Sequence, residues 1–141
     1  VISFYFDQVA LIRRLLRSES FYAVDVEVNT VDRFQGKEKE IIFGCLVRNV
    51  RSAYRRLNSH IAAFQRINVA FSRAQNLLVI VGARNMYADQ PVVIPDLNTG
   101  EERTTKVYRQ IIENLNQKNA YFTGDDVIPA ATALKILEKL G

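Results

Sequence analysis

Two arginines in the segment RINVAFSRA carry the side chain best suited to holding phosphate groups. Arg66 and Arg73 lie seven residues apart, which is two turns of a helix. The spacing therefore predicts that both project from one helix face, about 10 Å apart. A guanidinium group engages a phosphate through two parallel hydrogen bonds. The pair predicts a site for an anionic ligand at the edge of the core.

A second group of polar residues lies in the segment VNTVDRFQGKEKE, which contains Thr30, Gln35, Gly36 and Glu38. The segment follows an alternating pattern typical of a strand, and ligands of open α/β sheets bind at the carboxyl ends of strands. A glycine there lets the backbone approach a phosphate or sugar closely. The Thr30 hydroxyl can donate to a phosphate oxygen, and the Glu38 carboxylate can accept from a ribose hydroxyl. The loop therefore predicts a nucleotide or nucleic-acid ligand.

The positive charge of the chain is concentrated in one region. The net charge is +4, yet the 48 residues 41–88 contain no Asp, Glu or Lys and include seven arginines. Besides Arg66 and Arg73, this run contains Arg48, Arg51, Arg55 and Arg56. These arginines are candidates for tracking a phosphate backbone, with an ordinary solvated surface as the alternative.

Composition excludes several classes of protein. A chain of 141 residues with 48% hydrophobic and 24% charged residues is typical of a globular domain. No apolar stretch approaches the roughly 20 residues of a membrane span, so no membrane partner is expected. Cys45 is the only cysteine, which fits a reducing, intracellular compartment. His60 is the only histidine, and no metal site is predicted.

The elements that would position these residues alternate along the chain. Apolar runs predict strands at Val1–Tyr5, Tyr22–Asn29, Glu40–Val47 and Leu77–Gly82, the last two buried on both faces. Helical spacing predicts helices from the cap Asp7 to Leu16 and over Ile61–Gln75, Thr105–Gln117 and Ala130–Leu140. Prolines and the turn at Asn98–Gly100 predict a loop or small hairpin between them. This alternation favours a parallel sheet with helices on its faces.

Three segments also carry a family resemblance. VNTVDRFQGKEKEIIFGCLVRN resembles motif V of superfamily 1 helicases, RINVAFSRAQNLLVIVGA resembles motif VI, and VISFYFDQ is similar to motif IV. The form of the motifs resembles the branch that contains the nonsense-mediated-decay RNA helicase and its DNA-acting relatives. The resemblance covers residues 1 to about 82. It implies an α/β, RecA-like domain with a mainly parallel sheet and helices on both faces over residues 1–118. A small α-rich tail would then occupy residues 119–141.

The resemblance assigns roles to individual residues. Arg73 matches the arginine finger that reaches the γ-phosphate of ATP, held with Mg²⁺ by a first RecA-like domain. The nucleotide would also contact Gln35, Gly36 and Glu38, whereas Arg66 would brace this site or form a structural salt bridge. Single-stranded DNA or RNA would be contacted by Ser3 and Thr30. Ser3, Phe4, Ser72 and Gln75 depart from the usual Thr, Pro, Thr and Arg.

The phosphate-binding half of an ATP site is absent from the sequence. The one Gly-Lys pair, Gly36-Lys37, is followed by Glu38 and not by Ser or Thr, so there is no Walker A loop. Asp125-Asp126 follows no buried strand and so provides no Walker B pair. We therefore predict that the chain is part of a longer protein and neither hydrolyses ATP nor unwinds duplexes alone. A non-catalytic nucleic-acid-binding module and a nucleotide-binding domain unrelated to motors are the alternatives.

Overall fold

The computed structural model describes residues 1–47 and 62–130, together with Thr132 and Glu138. The chain divides into two compact units, Val1–Arg109 and Gln110–Gly141. Arg48, Arg51 and Arg55 lie outside the described residues, as does most of the predicted terminal helix. The assignment of residues 1–118 to one domain and 119–141 to a tail stays a prediction.

The first unit is built on a parallel sheet. Among the described residues this sheet has four strands, β1 (Ile2–Ser3), β2 (Asn29–Thr30), β3 (Lys39–Cys45) and β4 (Ala74–Val81), in the spatial order β2-β1-β3-β4. Each neighbouring pair is parallel. The predicted α/β architecture is confirmed, because the described strands pair in parallel. Parallel strands need crossover connections, and α-helices lie between β1 and β2 and between β3 and β4 in the sequence.

The other described elements are short helices and a hairpin that forms a separate two-stranded sheet. In the part of the chain that the structure describes, the helices are α1 (Phe6–Leu16), α2 (Phe64–Phe71), α3 (Arg84–Tyr87), α4 (Val107–Gln117) and α5 (Gly124–Val127), with a 3-10 turn at Asp32–Phe34. The hairpin consists of the antiparallel strands β5 (Val92–Pro95) and β6 (Glu102–Thr105). The predicted short helical turn, the hairpin and the helix over Thr105–Gln117 are therefore confirmed. Asp7 lies in the first turn of α1 and not at its cap. In the first turn its negative charge interacts favourably with the helix dipole.

The core lies on one face of β3. Ile42 is fully buried together with Phe34 from the 3-10 turn and Ala70 from α2. The adjacent residues Ile41 and Phe43 are 52% and 44% exposed. The prediction that β3 and β4 are buried on both faces is therefore wrong for the described part of the chain. An unbroken apolar run has no alternation, so it cannot reveal which of its two faces is covered.

Several predicted element boundaries are also wrong. The predicted strand Tyr22–Asn29 is reduced to Asn29–Thr30. Its partner β1 is only two residues long, since α1 begins at Phe6. The predicted helix Ile61–Gln75 ends at Phe71, and the chain from Ala74 pairs with β3 instead. Backbone groups that form the β3–β4 ladder are not available to continue a helix.

Among the described residues, no helix is long and apolar enough to cross a membrane.

Candidate functional site

Arg73 meets the motif V loop, residues 31–38, at the amino ends of β3 and β4. Lys39, the first residue of β3, is paired with Ala74, and its backbone amide donates to the carbonyl oxygen of Arg73 at 3.1 Å. Glu38 therefore lies beside Arg73 in the fold, although 35 residues separate them in the sequence. The loop was expected at the carboxyl end of a strand. It begins there, after Thr30, but Gly36 and Glu38 lie at the opposite end of the sheet.

The Arg73 side chain projects from the turn between α2 and β4. Its Nη2 donates to the Ser72 hydroxyl oxygen at 2.8 Å, and the guanidinium remains partly exposed. Because α2 ends at Phe71, Arg66 and Arg73 do not share one helix face, and that prediction is wrong. Arg73 is instead held by a short turn next to Glu38. In this position a guanidinium can present two donors to a phosphate that enters from solvent.

Glu38 and Gly36 are both exposed in the loop that precedes β3. Gln75 donates from Nε2 to the Glu38 carboxylate at 3.4 Å, and an extra residue in β4 shifts its register with β3 at this point. Such bulges redirect side chains at the ends of sheets. Gly36 has a φ of +80°, and a Cβ there would meet nothing within 4 Å. The glycine is therefore required by the left-handed backbone conformation and not by crowding.

Arg66 forms an ion pair across the unit. It lies on α2, and its Nε donates to Asp32 Oδ1 at 3.0 Å while its Nη2 bonds to Oδ2. The salt-bridge interpretation of Arg66 is thereby confirmed. Asp32, which opens the 3-10 turn two residues after Thr30, is a residue that sequence reasoning missed. No local pattern relates two residues that lie 34 positions apart.

Thr30 and Ser3 lie at the carboxyl ends of their strands. They are paired with each other, and Ser3 is also paired with Cys45, the last residue of β3. Six strand steps therefore separate this end from Lys39, about 20 Å. Thr30 is partly exposed, whereas Ser3 is fully buried and accepts a hydrogen bond from the Tyr5 amide. The structure thus leaves Ser3 out of reach of a nucleic-acid strand, contrary to expectation.

Arg13 on α1 supports the strand that ends at Thr30. Its guanidinium donates to the Val28 carbonyl oxygen at 2.6 and 3.0 Å and to Asn29 Oδ1 at 2.8 Å. The sequence alone assigns Arg13 no role. Its partners lie 15 and 16 residues further along the chain.

An ion pair also anchors the motif V loop to the segment before β2. Lys37 Nζ lies 2.6 Å from Glu27 Oε1, and this hydrogen bond is the main reason that the pKa of Glu27 is lowered below its ordinary value. Among the described residues, no group of three or more His, Cys, Asp or Glu side chains could hold a metal ion. The partly exposed Arg73 guanidinium, together with the exposed Glu38 carboxylate and Gly36 backbone at the amino ends, suits phosphate and ribose better than a metal.

Comparison with known proteins places the chain in a family. Residues 1–85 match the family described as AAA domain, and the chain belongs to that family. Its relatives further define it as a superfamily 1 helicase domain with a RecA-like α/β fold.

The relatives are named as ATP-dependent helicases or DNA helicases. An uncharacterized ATP-dependent helicase of Methanocaldococcus jannaschii is 36% identical over 65% of this chain. DNA polymerase alpha-associated DNA helicase A of Schizosaccharomyces pombe is 39% identical over 60%, and the DNA replication ATP-dependent helicase/nuclease dna2 of the same organism is 35% identical over 66%. The matched segment covers 12%, 12% and 6% of the length of these relatives, in that order.

Proposed function

We propose that this chain is the C-terminal motor domain of an ATP-dependent superfamily 1 DNA or RNA helicase or translocase. The observation that supports the proposal most strongly is the hydrogen bond from the Lys39 amide to the Arg73 carbonyl. This bond brings the backbones at Glu38 and Arg73 together at one end of the sheet. Thr30 lies at the other end, about 20 Å away along β3. The two ends suit two different phosphate ligands, a nucleotide and a nucleic-acid strand.

In this proposal Arg73 is the arginine finger. ATP and Mg²⁺ are held by the N-terminal RecA-like domain of the same protein, since this chain contains no Walker A loop. The Arg73 guanidinium stabilises the negative charge that develops on the transferring phosphoryl group. The Glu38 carboxylate accepts a hydrogen bond from a ribose hydroxyl, while Gln35 and the Gly36 backbone lie beside the phosphates. Arg66 braces the site through Asp32.

The nucleic-acid strand is placed along the carboxyl end of the sheet. Thr30 donates its hydroxyl to a backbone phosphate, and Arg13 holds the backbone before it. Arg48, Arg51 and Arg55 extend the basic track in this proposal, on the strength of the acid-free arginine run alone. Ser3 is left out because it is buried.

ATP hydrolysis by the full-length protein that contains this domain tests the proposal. Turnover should be measured alone, with single-stranded DNA and with single-stranded RNA, and at least one strand is expected to stimulate it. Stimulation by neither argues against a motor. If a strand binds but ATP is not hydrolysed, the domain is a non-catalytic binding module. The 141-residue chain by itself is expected to hydrolyse no ATP, and turnover by it that Arg73→Ala abolishes would contradict the shared site.

A further inference from the structure

We infer that the ion pair between Asp32 and Arg66 couples the binding of a single nucleic-acid strand to ATP turnover. It joins the segment that follows Thr30, at the strand-binding end, to the helix that precedes Arg73, at the nucleotide end. The inference rests on the proposed function, because it requires both ligands to act on this domain. Asp32 and Arg66 are positioning residues in this account, since neither needs to touch the reacting phosphate.

The geometry of the pair suits the transmission of movement. Both oxygens of the Asp32 carboxylate are bonded by the Arg66 guanidinium, with an Nε–Oδ1 distance of 3.0 Å for one of the bonds. Two parallel bonds between planar groups fix orientation as well as distance. A displacement of one partner therefore changes the angle as well as the position of the other.

The Asp32 end of the pair is rigidly connected to Thr30. Val31, which lies between them, is buried, and its amide donates to the Ser3 carbonyl oxygen at 3.0 Å. Phe34, at the end of the same 3-10 turn, is fully buried in the core. Because Val31 and Phe34 hold the backbone on both sides of Asp32 in the core, a nucleic-acid strand that shifts Thr30 is expected to shift the Asp32 carboxylate as well.

The Arg66 end is connected to Arg73 in a similar way. Arg66 lies on α2, where Ile67 and Ala70 are buried and the helix ends at Phe71. Arg73 follows two residues later and is fixed to β3 through its carbonyl oxygen. A rigid helix with discrete packing positions carries coupling between sites better than a loop does. Only Ser72 separates the end of α2 from Arg73. Rotation of α2 would therefore change the direction of the Arg73 side chain, while its carbonyl oxygen stays bonded to β3.

Stability alone does not account for this pair. The Asp32 side chain is 60% exposed and that of Arg66 is 24% exposed. Exposed ion pairs contribute about 0–1 kcal/mol to the stability of a fold. Removing the charge of Asp32 should therefore leave the domain folded, which makes its effect on coupling measurable.

The test uses the full-length protein with Asp32→Asn, which keeps the shape of the side chain and removes its charge. Asp89→Asn is the matched control, because Asp89 is an exposed carboxylate that also pairs with an arginine, Arg109. Turnover is measured without and with a saturating single strand. Stimulation by the strand should be lost in Asp32→Asn and stay unchanged in Asp89→Asn. Strand affinity measured without nucleotide should be unchanged in both variants.

A second measurement separates coupling from a structural defect. In the wild-type protein a non-hydrolysable ATP analogue should alter strand affinity, because coupling between two binding sites is reciprocal. In Asp32→Asn this effect should disappear while the melting temperature is retained. Equal stimulation of Asp32→Asn and wild type overturns the inference and leaves the proposed function intact. Equal losses of basal and stimulated turnover also overturn it, since the pair would then act on the chemistry or the fold. A wild-type protein that no strand stimulates rejects the proposed function itself.

Discussion

The backbone amide of Lys39 donates a 3.1 Å hydrogen bond to the carbonyl oxygen of Arg73. This bond closes the β3–β4 ladder at its amino end and fixes the turn that carries Arg73. It also places Glu38, the residue before Lys39, next to an arginine from a distant part of the sequence. The candidate nucleotide contacts of the domain are therefore built on sheet hydrogen bonds and not on a flexible loop alone, which favours a well-defined position.

Thr30 is expected to contribute to strand binding and not to chemistry. Thr30→Ala in the full-length protein should raise the Kd for single-stranded DNA or RNA by about 2- to 10-fold, the effect of one lost hydrogen bond. Basal ATP turnover should stay the same. Thr104→Ala, an exposed threonine of the hairpin, is the control and should alter neither quantity. An unchanged Kd in Thr30→Ala would remove this residue from the interface.

Gly82 is expected to be required by close packing. A Cβ at this position would lie 3.1 Å from Leu46 Cδ1 and 3.2 Å from Tyr87 Cδ2. Gly82→Ala should therefore lower the free energy of unfolding by about 1–3 kcal/mol, the usual cost of overpacking. Gly124→Ala is the control, because a Cβ there meets nothing within 4 Å. Denaturant unfolding of the 141-residue chain measures both, and equal stabilities would contradict the packing account.

The Glu27–Lys37 ion pair should make stability depend on pH. The hydrogen bond from Lys37 lowers the pKa of Glu27 in the folded state, so the pair stabilises the fold above the ordinary glutamate pKa of about 4.3. That contribution is lost as the pH falls through the lowered value. Lys37→Gln should therefore lower the free energy of unfolding near pH 7, and the difference from wild type should shrink below about pH 4.

Lys118→Gln is the control for this titration, because it removes the same charge from an exposed position in the other unit. Its stability difference from wild type should not vary over the same pH range. A difference for Lys37→Gln that persists undiminished at pH 3 would show that the Glu27 carboxylate is not what Lys37 stabilises.

The sequence was most informative where function depends on short contiguous segments. The motif V and motif VI segments identified the family and the parallel sheet, because each spans a strand together with its adjoining turn. The ends of elements were harder to predict. Helical spacing continues through Ala74, but the chain leaves the helix at Ser72 since the following residues pair with β3. That choice depends on a partner strand that no local pattern contains.

Side-chain partnerships were also beyond sequence reasoning. Asp32 and Arg66 lie 34 residues apart, and Arg13 reaches across to Val28 and Asn29. Each partnership depends on which helix packs beside which strand. Ser3 shows the opposite error, because a residue that matches a motif position is buried in this fold. A match in sequence identifies a position, but exposure of the side chain is decided by tertiary packing.

The most direct test of the account is the rate of strand-stimulated ATP hydrolysis by the full-length protein with Arg73→Ala. Arg14→Ala, an exposed arginine of α1, serves as the matched control. If Arg73 is the arginine finger, kcat should fall by about 10³- to 10⁵-fold while the affinity for the single strand is retained, and Arg14→Ala should match wild type. A kcat for Arg73→Ala within a few-fold of the Arg14→Ala value would contradict the assignment of Arg73 and, with it, the proposed half-site.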